Sequence, residues 1–217
     1  MSEITKNQVI KDKGKYQYPV VAVLFIFLSV GTTAAIPFIK NPFEDFNYYG
    51  MPIERSAPGF SLQNTEGDPV QLSDYRGRFV YLMFGYLGCD EVCHTQALTF
   101  HTLNQRLADD KVHFLYLGMD PENDTPERIA SYFDSRAENF DGLVAADLKH
   151  AQQVAARYHA FFSVQPVTYN SARKISHPGY IYLIDPEGQL RMIYSGKSLD
   201  SNKMLLDLKH IKTQFSS

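Results

Sequence analysis

The only thiols of the chain lie four positions apart in Gly88-Cys89-Asp90-Glu91-Val92-Cys93-His94. On a helix, side chains four positions apart share one face with Cβ atoms about 5 to 6 Å apart. Two such sulfurs can take hold of one metal ion or close a disulfide after a modest adjustment of the first turn. The apolar run Phe79-Val80-Tyr81-Leu82-Met83-Phe84 ends just before the motif. It predicts a buried strand over 78–86 that delivers Cys89 to the start of a helix. Ligands of open α/β sheets bind beyond the carboxyl ends of the strands. The partial positive charge of a helix N-terminus also favours the thiolate, the form that binds metal or attacks disulfides. Asp90 and Glu91 oppose that effect by like charge. The plain alternative is two unrelated buried thiols, since cysteine often packs as a small apolar residue.

Histidines are the natural companions of such a pair. His94 reads as a solvated first-turn side chain, with accessory ligation as its alternative, because adjacency to Cys93 does not imply convergence on one ion. For His177, a loop histidine next to a strand and a site residue are both open, loops at strand ends being common carriers of function. His101, His113, His150, His159 and His210 have no ligand-like spacing to the pair and read as surface or packing residues. Asp124 reads as a turn cap, and Asp120 as a candidate for orienting a ligand or partner. Phe84 and Tyr86 read as core.

The elements around the motif follow from periodicity. Phe60–Gln63 and Pro69–Leu72 alternate about a Glu66-Gly67-Asp68 turn and predict a hairpin. Ala97, Phe100, Leu103 and Leu107 recur at helical spacing through Asp109. Val112 to Gly118 is a second apolar strand. Thr125 as cap and Pro126 in the first turn open another helix, with Ile129, Tyr132 and Phe133 facing inward. A short strand near 143–145 precedes Asp147, a cap for a helix through Ala160. Strands at 180–184 and 190–194 flank an Asp185-Pro186-Glu187-Gly188 turn, and a helix over 201–214 ends the chain. This order predicts a thioredoxin-like sandwich, a central mixed sheet with helices on both faces.

Composition bounds the rest. With 217 residues, 44% hydrophobic and 21% charged, the chain suits one domain plus an extension and excludes a disordered or collagenous polymer. Two cysteines are too few for a disulfide scaffold, and 21 basic against 24 acidic side chains argue against nucleic acid as a partner. Residues 16–39 carry no charge, and about 20 helical residues cross a bilayer core. Lys6, Lys11, Lys13 and Lys15 precede this run, so 1–15 is expected in the cytoplasm, 16–39 as the transmembrane anchor and the bulk across the membrane. A cleavable signal with Thr33-Ala34-Ala35 as the cut is the rival. No Arg occurs in the first 40 residues, which favours a bacterial periplasmic setting over a mitochondrial presequence. Residues 1–40 carry five Lys against Glu3 and Asp12, so 41–217 has a net charge of -6. The stretch 40–58 reads as a tether and 59–217 as the folded domain.

Three blocks in order give a resemblance covering roughly 55–215. They are Gly85-Tyr86 before the cysteine motif, Asp120-Pro121-Glu122-Asn123-Asp124-Thr125-Pro126, and His177 ahead of Tyr182-Leu183-Ile184-Asp185-Pro186-Glu187-Gly188. The domain resembles the Sco/SenC proteins, thioredoxin-like copper carriers that help metallate cytochrome c oxidase. The resemblance implies that Cys89, Cys93 and His177 bind one copper ion, Cu(I) or Cu(II), with Asp120 associated with the site. Soft thiolates favour Cu(I) while imidazole keeps Cu(II) accessible; zinc would accept the same set with an open fourth position. This chain departs from the family pattern at the site itself. Asp90 and His94 follow the cysteines where the family usually has Pro, and Pro178 follows His177 where it has a small hydroxyl residue.

The expectation is a carrier at the bacterial inner membrane that passes copper to a copper-accepting subunit of cytochrome c oxidase. Other periplasmic copper or thiol carriers are further candidate partners. The alternative is a thiol:disulfide oxidoreductase using Cys89 and Cys93 as a redox pair, and a peroxidase-like role is a third reading.

Overall fold

The computed structural model describes residues 46–89, 92–107, 111–133, 139–165 and 174–215, with Val92 and Cys93 described by their backbone. Contacts divide the chain at Asn47, and the unit considered below is Tyr48–Ser217. The expected anchor over 16–39 and cytoplasmic segment over 1–15 lie outside the described residues. Among the described residues no helix is long and apolar enough to cross a membrane.

Among the described residues ten strands and four α-helices follow in order: β1 (Met51–Ser56), β2 (Ser61–Asn64), β3 (Pro69–Gln71), β4 (Phe79–Gly85), α1 (Val92–Arg106), β5 (Val112–Gly118), α2 (Pro126–Phe133), β6 (Phe140–Val144), α3 (Leu148–Arg157), β7 (Ser163–Val164), β8 (Ile175–Ser176), β9 (Tyr180–Ile184), β10 (Gln189–Ser195) and α4 (Ser201–Lys212). Eight strands form one mixed sheet in the order β1-β10-β9-β4-β5-β6-β2-β3, and β7 pairs with β8 separately. β4, β5 and β6 run parallel, and β9 lies antiparallel to β4. A buried strand with both faces covered favours apolar residues throughout, which is why β4 is an unbroken apolar run and β5 is one apart from His113.

The two-residue pleat sorts β4 between two cores. Val80, Leu82 and Phe84 pack with Leu115, Leu117, Ala151, Val154 and Tyr158 under α3. Phe79, Tyr81 and Met83 pack with Phe100, Ile129, Met204 and Leu208, from α1, α2 and α4. Gly142 of β6 lets α2 close on the sheet, because a Cβ there would overlap Ile129 Cγ2. The expected sandwich with helices on both faces is the observed architecture.

Three differences from the sequence reading have physical causes. Within the stretch read as a tether, Met51–Ser56 is an edge strand on β10, with its register broken between Pro52 and Arg55; only its partner strand makes it extended and paired. The helix expected through Ala160 stops at Arg157. Ala160 N donates back to Ala155 O at 2.9 Å and His159 takes a left-handed φ of 57°, while the buried Tyr158 donates its hydroxyl to Pro58 O at 2.7 Å. The β7–β8 ladder was not foreseen, since two-residue strands carry no periodicity.

Several buried polar groups lie away from the cysteine motif, His113, Asp185 and Asp207 among them. His113 is 4% exposed and sits opposite Val80, near the beginning of β4 and β5, whereas the motif follows their ends. Its Nδ1 faces the Arg78 guanidinium at 3.4 Å and its Nε2 faces Asp141 Oδ2 at 2.9 Å. A guanidinium only donates, so Nδ1 accepts and Nε2–H donates to the carboxylate. Tyr75 donates its hydroxyl to the same oxygen at 2.6 Å. Burial works to raise the Asp141 carboxyl, but the bonds from His113 and Tyr75 outweigh it and hold it below the usual carboxylate range. His113 is therefore a packing residue, as its spacing implied.

Candidate metal centre

The site is built where β4 and β5 end. Met119 N donates to Gly85 O at 2.7 Å and ties the two strand ends together. The chain then turns through Tyr86, Leu87 and Gly88, and Cys89 N closes that turn on Tyr86 O at 3.2 Å. Cys89 is 8% exposed and belongs to the apolar cluster that includes Tyr86, Phe162 and Ile175. α1 begins at Val92, so Cys93 stands in its first turn, while Cys89 lies in the turn before the helix rather than on the helical face that the four-residue spacing assumes. The Cys93 side chain, Asp90 and Glu91 lie outside the described residues.

His177 follows β8 and is half-buried. Its ring stands edge-on to that of Tyr86, with centroids 5.8 Å apart and planes at 80°. Tyr86 is thus in contact with both Cys89 and His177. The His177 Nδ1 lies 3.0 Å from Pro178 O. A carbonyl only accepts, so Nδ1 carries the proton and Nε2 keeps the lone pair, the arrangement usual for a metal-binding imidazole.

His94 is exposed, as expected of a first-turn side chain, but it is not idle. By the same reasoning its Nδ1–H donates to Cys89 O at 2.8 Å, and its ring stands edge-on to Tyr132 at 5.5 Å. The imidazole therefore closes the cysteine segment from Cys89 to the first turn of α1.

Asp120 is 3% exposed and opens the loop after β5. Its backbone carbonyl accepts from Asn123 N at 2.8 Å and Asp124 N at 2.6 Å, and its Oδ2 accepts from Asn123 Nδ2 at 2.8 Å. Asp124 does not cap this turn as expected. Its carboxylate points inward and accepts from Leu87 N at 3.0 Å, because the tight turn on Asp120 leaves the side chain facing the cysteine loop. Thr125 takes the cap, with its Oγ1 3.4 Å from Arg128 N. Sequence reasoning missed Asp124 as a site residue and Tyr86 as the neighbour of His177. Both relations join segments distant in the chain, and residue type alone carries no signal of them.

Among the described residues no three His, Cys, Asp or Glu side chains form a group able to hold a metal ion. Two of the three residues implied by the resemblance, Cys89 and His177, have described side chains. Both adjoin Tyr86, one offering sulfur and the other an imidazole lone pair. That donor chemistry fits a soft ion such as copper.

A family model described as SCO1/SenC matches residues 52–213. The chain belongs to the SCO1/SenC family. It is 30% identical over 137 residues to the mitochondrial protein SCO2 of Saccharomyces cerevisiae, covering 60% of this chain and 44% of that protein. The chain thus spans less than half the length of that curated relative. Among solved structures, apo Sco1 from Thermus thermophilus superposes with a TM-score of 0.68 at 24% identity, covering 77% of this chain and 99% of that one. Bradyrhizobium japonicum ScoI with copper bound gives 0.62 at 25% identity, covering 71% and 98%. These likenesses establish the thioredoxin-like Sco fold for the SCO1/SenC domain of this chain.

Proposed function

We propose that this SCO1/SenC protein carries copper and delivers it to a copper-accepting subunit of cytochrome c oxidase during assembly. The observation that carries the reading is the Tyr86 contact to both Cys89 and His177, with the His177 tautomer that leaves Nε2 as the donor. Cys89, Cys93 and His177 are the proposed ligands, with Asp120 supporting the site from the neighbouring loop. Copper is the cargo here. Thiolates hold Cu(I), imidazole keeps Cu(II) within reach, and release proceeds by exchange of these ligands for those of the acceptor. Residues 16–39 are proposed as the anchor in the bacterial inner membrane, 1–15 as the cytoplasmic end, and the SCO1/SenC domain as periplasmic. The uncharged run over 16–39 and the lysines before it support that placement.

The test is anaerobic copper titration of the full chain in detergent, read by sulfur-to-copper charge transfer and by nitrogen coupling in the Cu(II) spectrum. Cys89→Ser and Cys93→Ser are expected to lose the charge-transfer band, and His177→Ala the nitrogen coupling. Wild-type binding by any of the three would remove that residue from the set. The second reading, a thiol:disulfide oxidoreductase, is favoured by the pair at the start of α1. Turnover of a disulfide substrate that needs both cysteines and ignores His177 would support it.

A further inference from the structure

Asp124 is 1% exposed, yet the copper reading gives it no task. Its Oδ1 accepts the Leu87 amide at 3.0 Å, while its Oδ2 is buried and has no hydrogen-bond partner among the described residues. Gly118 makes room for the group, since a Cβ there would stand 3.3 Å from Asp124 Cβ and 3.5 Å from Oδ2. A buried carboxylate with one oxygen unsatisfied is costly, and a neutral Asn or Ser could accept from the same amide.

We propose that Asp124 is the positioning residue of the cysteine turn. Its carboxylate holds the Leu87 amide, and with it the backbone that presents Cys89, and the hold is firmest when the carboxyl is ionised.

The geometry supports this in three ways. Leu87 stands inside the turn that Cys89 N closes on Tyr86 O, so an anchor at Leu87 limits how far that turn can open. The anchor comes from the β5–α2 loop, whose own turn is fixed by the Asp120 carbonyl. An ionised acceptor binds an amide roughly twice as strongly as a neutral one, so gain of a proton weakens the bond without removing it. The groups facing Asp124 are Asp120, Arg128 and the Leu87 amide. Burial pushes the carboxyl up to about 6; the charge of Asp120 adds to the rise, while the Leu87 amide, the Asp120 amide and Arg128 oppose it. The hold therefore slackens within a physiological range of pH.

The bearing of this role on copper rests on the function proposed above, but its test needs no metal, so failure of one is distinguishable from failure of the other. Hydrogen exchange at the Leu87 amide, corrected for intrinsic rate, is measured on the full reduced chain in detergent from pH 5 to 8, together with the rate of Cys89 alkylation in a Cys93→Ser background. The wild type is expected to lose protection roughly three- to tenfold as pH falls through about 6, with alkylation faster than extrapolated from its behaviour at higher pH. Asp124→Asn keeps the shape and one acceptor. It is expected to show the weaker protection throughout, without the step. Imidazoles as a class titrate near 6.5, so the variant decides: a step that persists in Asp124→Asn, or wild-type protection flat across the range, overturns the proposal. Stability is a second readout. A carboxyl raised in the fold makes the folded state bind more protons than the unfolded chain, so wild-type stability falls as pH rises from about 4 to about 6, and Asp124→Asn should lack that slope.

Discussion

The His177 imidazole meets the Tyr86 ring edge to face at 5.8 Å, and Tyr86 in turn accepts the Cys89 amide at its carbonyl. The residue between the strand and the motif thus governs both flanks of the site: its backbone shapes the thiol's turn and its ring sets the imidazole's place.

Removing that ring should loosen His177 without touching a proposed ligand. Edge-to-face aromatic pairs are worth about 0.5 to 1.5 kcal/mol, so Tyr86→Leu is expected to weaken Cu(II) binding by roughly 2- to 12-fold. Competition titration would read this. Unchanged affinity together with unchanged nitrogen coupling would show that the ring plays no part in holding the imidazole.

The Asp141 network gives a pH dependence of opposite sign to that of Asp124. Its carboxyl is held low in the fold, so it contributes stability above its unfolded value, near 3.9, and that contribution is lost as pH falls through the folded value. Asp141→Asn is expected to cost about 1 to 3 kcal/mol at pH 7 by leaving His113 and Tyr75 poorly paired. The difference from wild type should narrow toward pH 3 in urea unfolding, and a constant difference would refute the linkage.

Gly142→Ala tests the closeness of α2 to the sheet. The added methyl overlaps Ile129 Cγ2, so the helix must shift, at about 1 to 3 kcal/mol. Because α2 carries the loop with Asp120 and Asp124 at its start, the same variant should also speed exchange at Leu87. Ile129→Leu, which lacks the Cγ2 methyl on Cβ, is expected to restore part of both losses in the Gly142→Ala background.

Asp207 of α4 is 1% exposed and accepts the amides of Tyr49 at 3.1 Å and Gly50 at 2.9 Å. It fixes the segment leading into β1 to the last helix. Asp207→Ala leaves two amides without their acceptor, and a loss of about 2 to 3 kcal/mol is expected. Limited proteolysis should then show earlier cleavage near Tyr48 to Met51.

Much of this was legible in order along the chain. β4 is apolar at every position and β5 at all but His113 because both their faces are buried, and α1 and α2 carry stripes of period close to four because one side of each is. Asp147 accepts from His150 N at 2.7 Å as its cap position requires. Such signals are local: a pleat, a helical turn or a cap involves residues within a few positions of each other.

What remained hidden was long-range. Met51–Ser56 reads as a tether because its strand character comes from β10, about 140 positions away. The sequence by itself determined the strand-to-helix setting of Cys89 and Cys93, since hydrophobic period and residue type are enough to specify it. Only the tertiary structure decided that His177 rests on Tyr86 and that Asp124 grips Leu87, because each pairing depends on where two separate loops land once the sheet has brought the ends of its strands together.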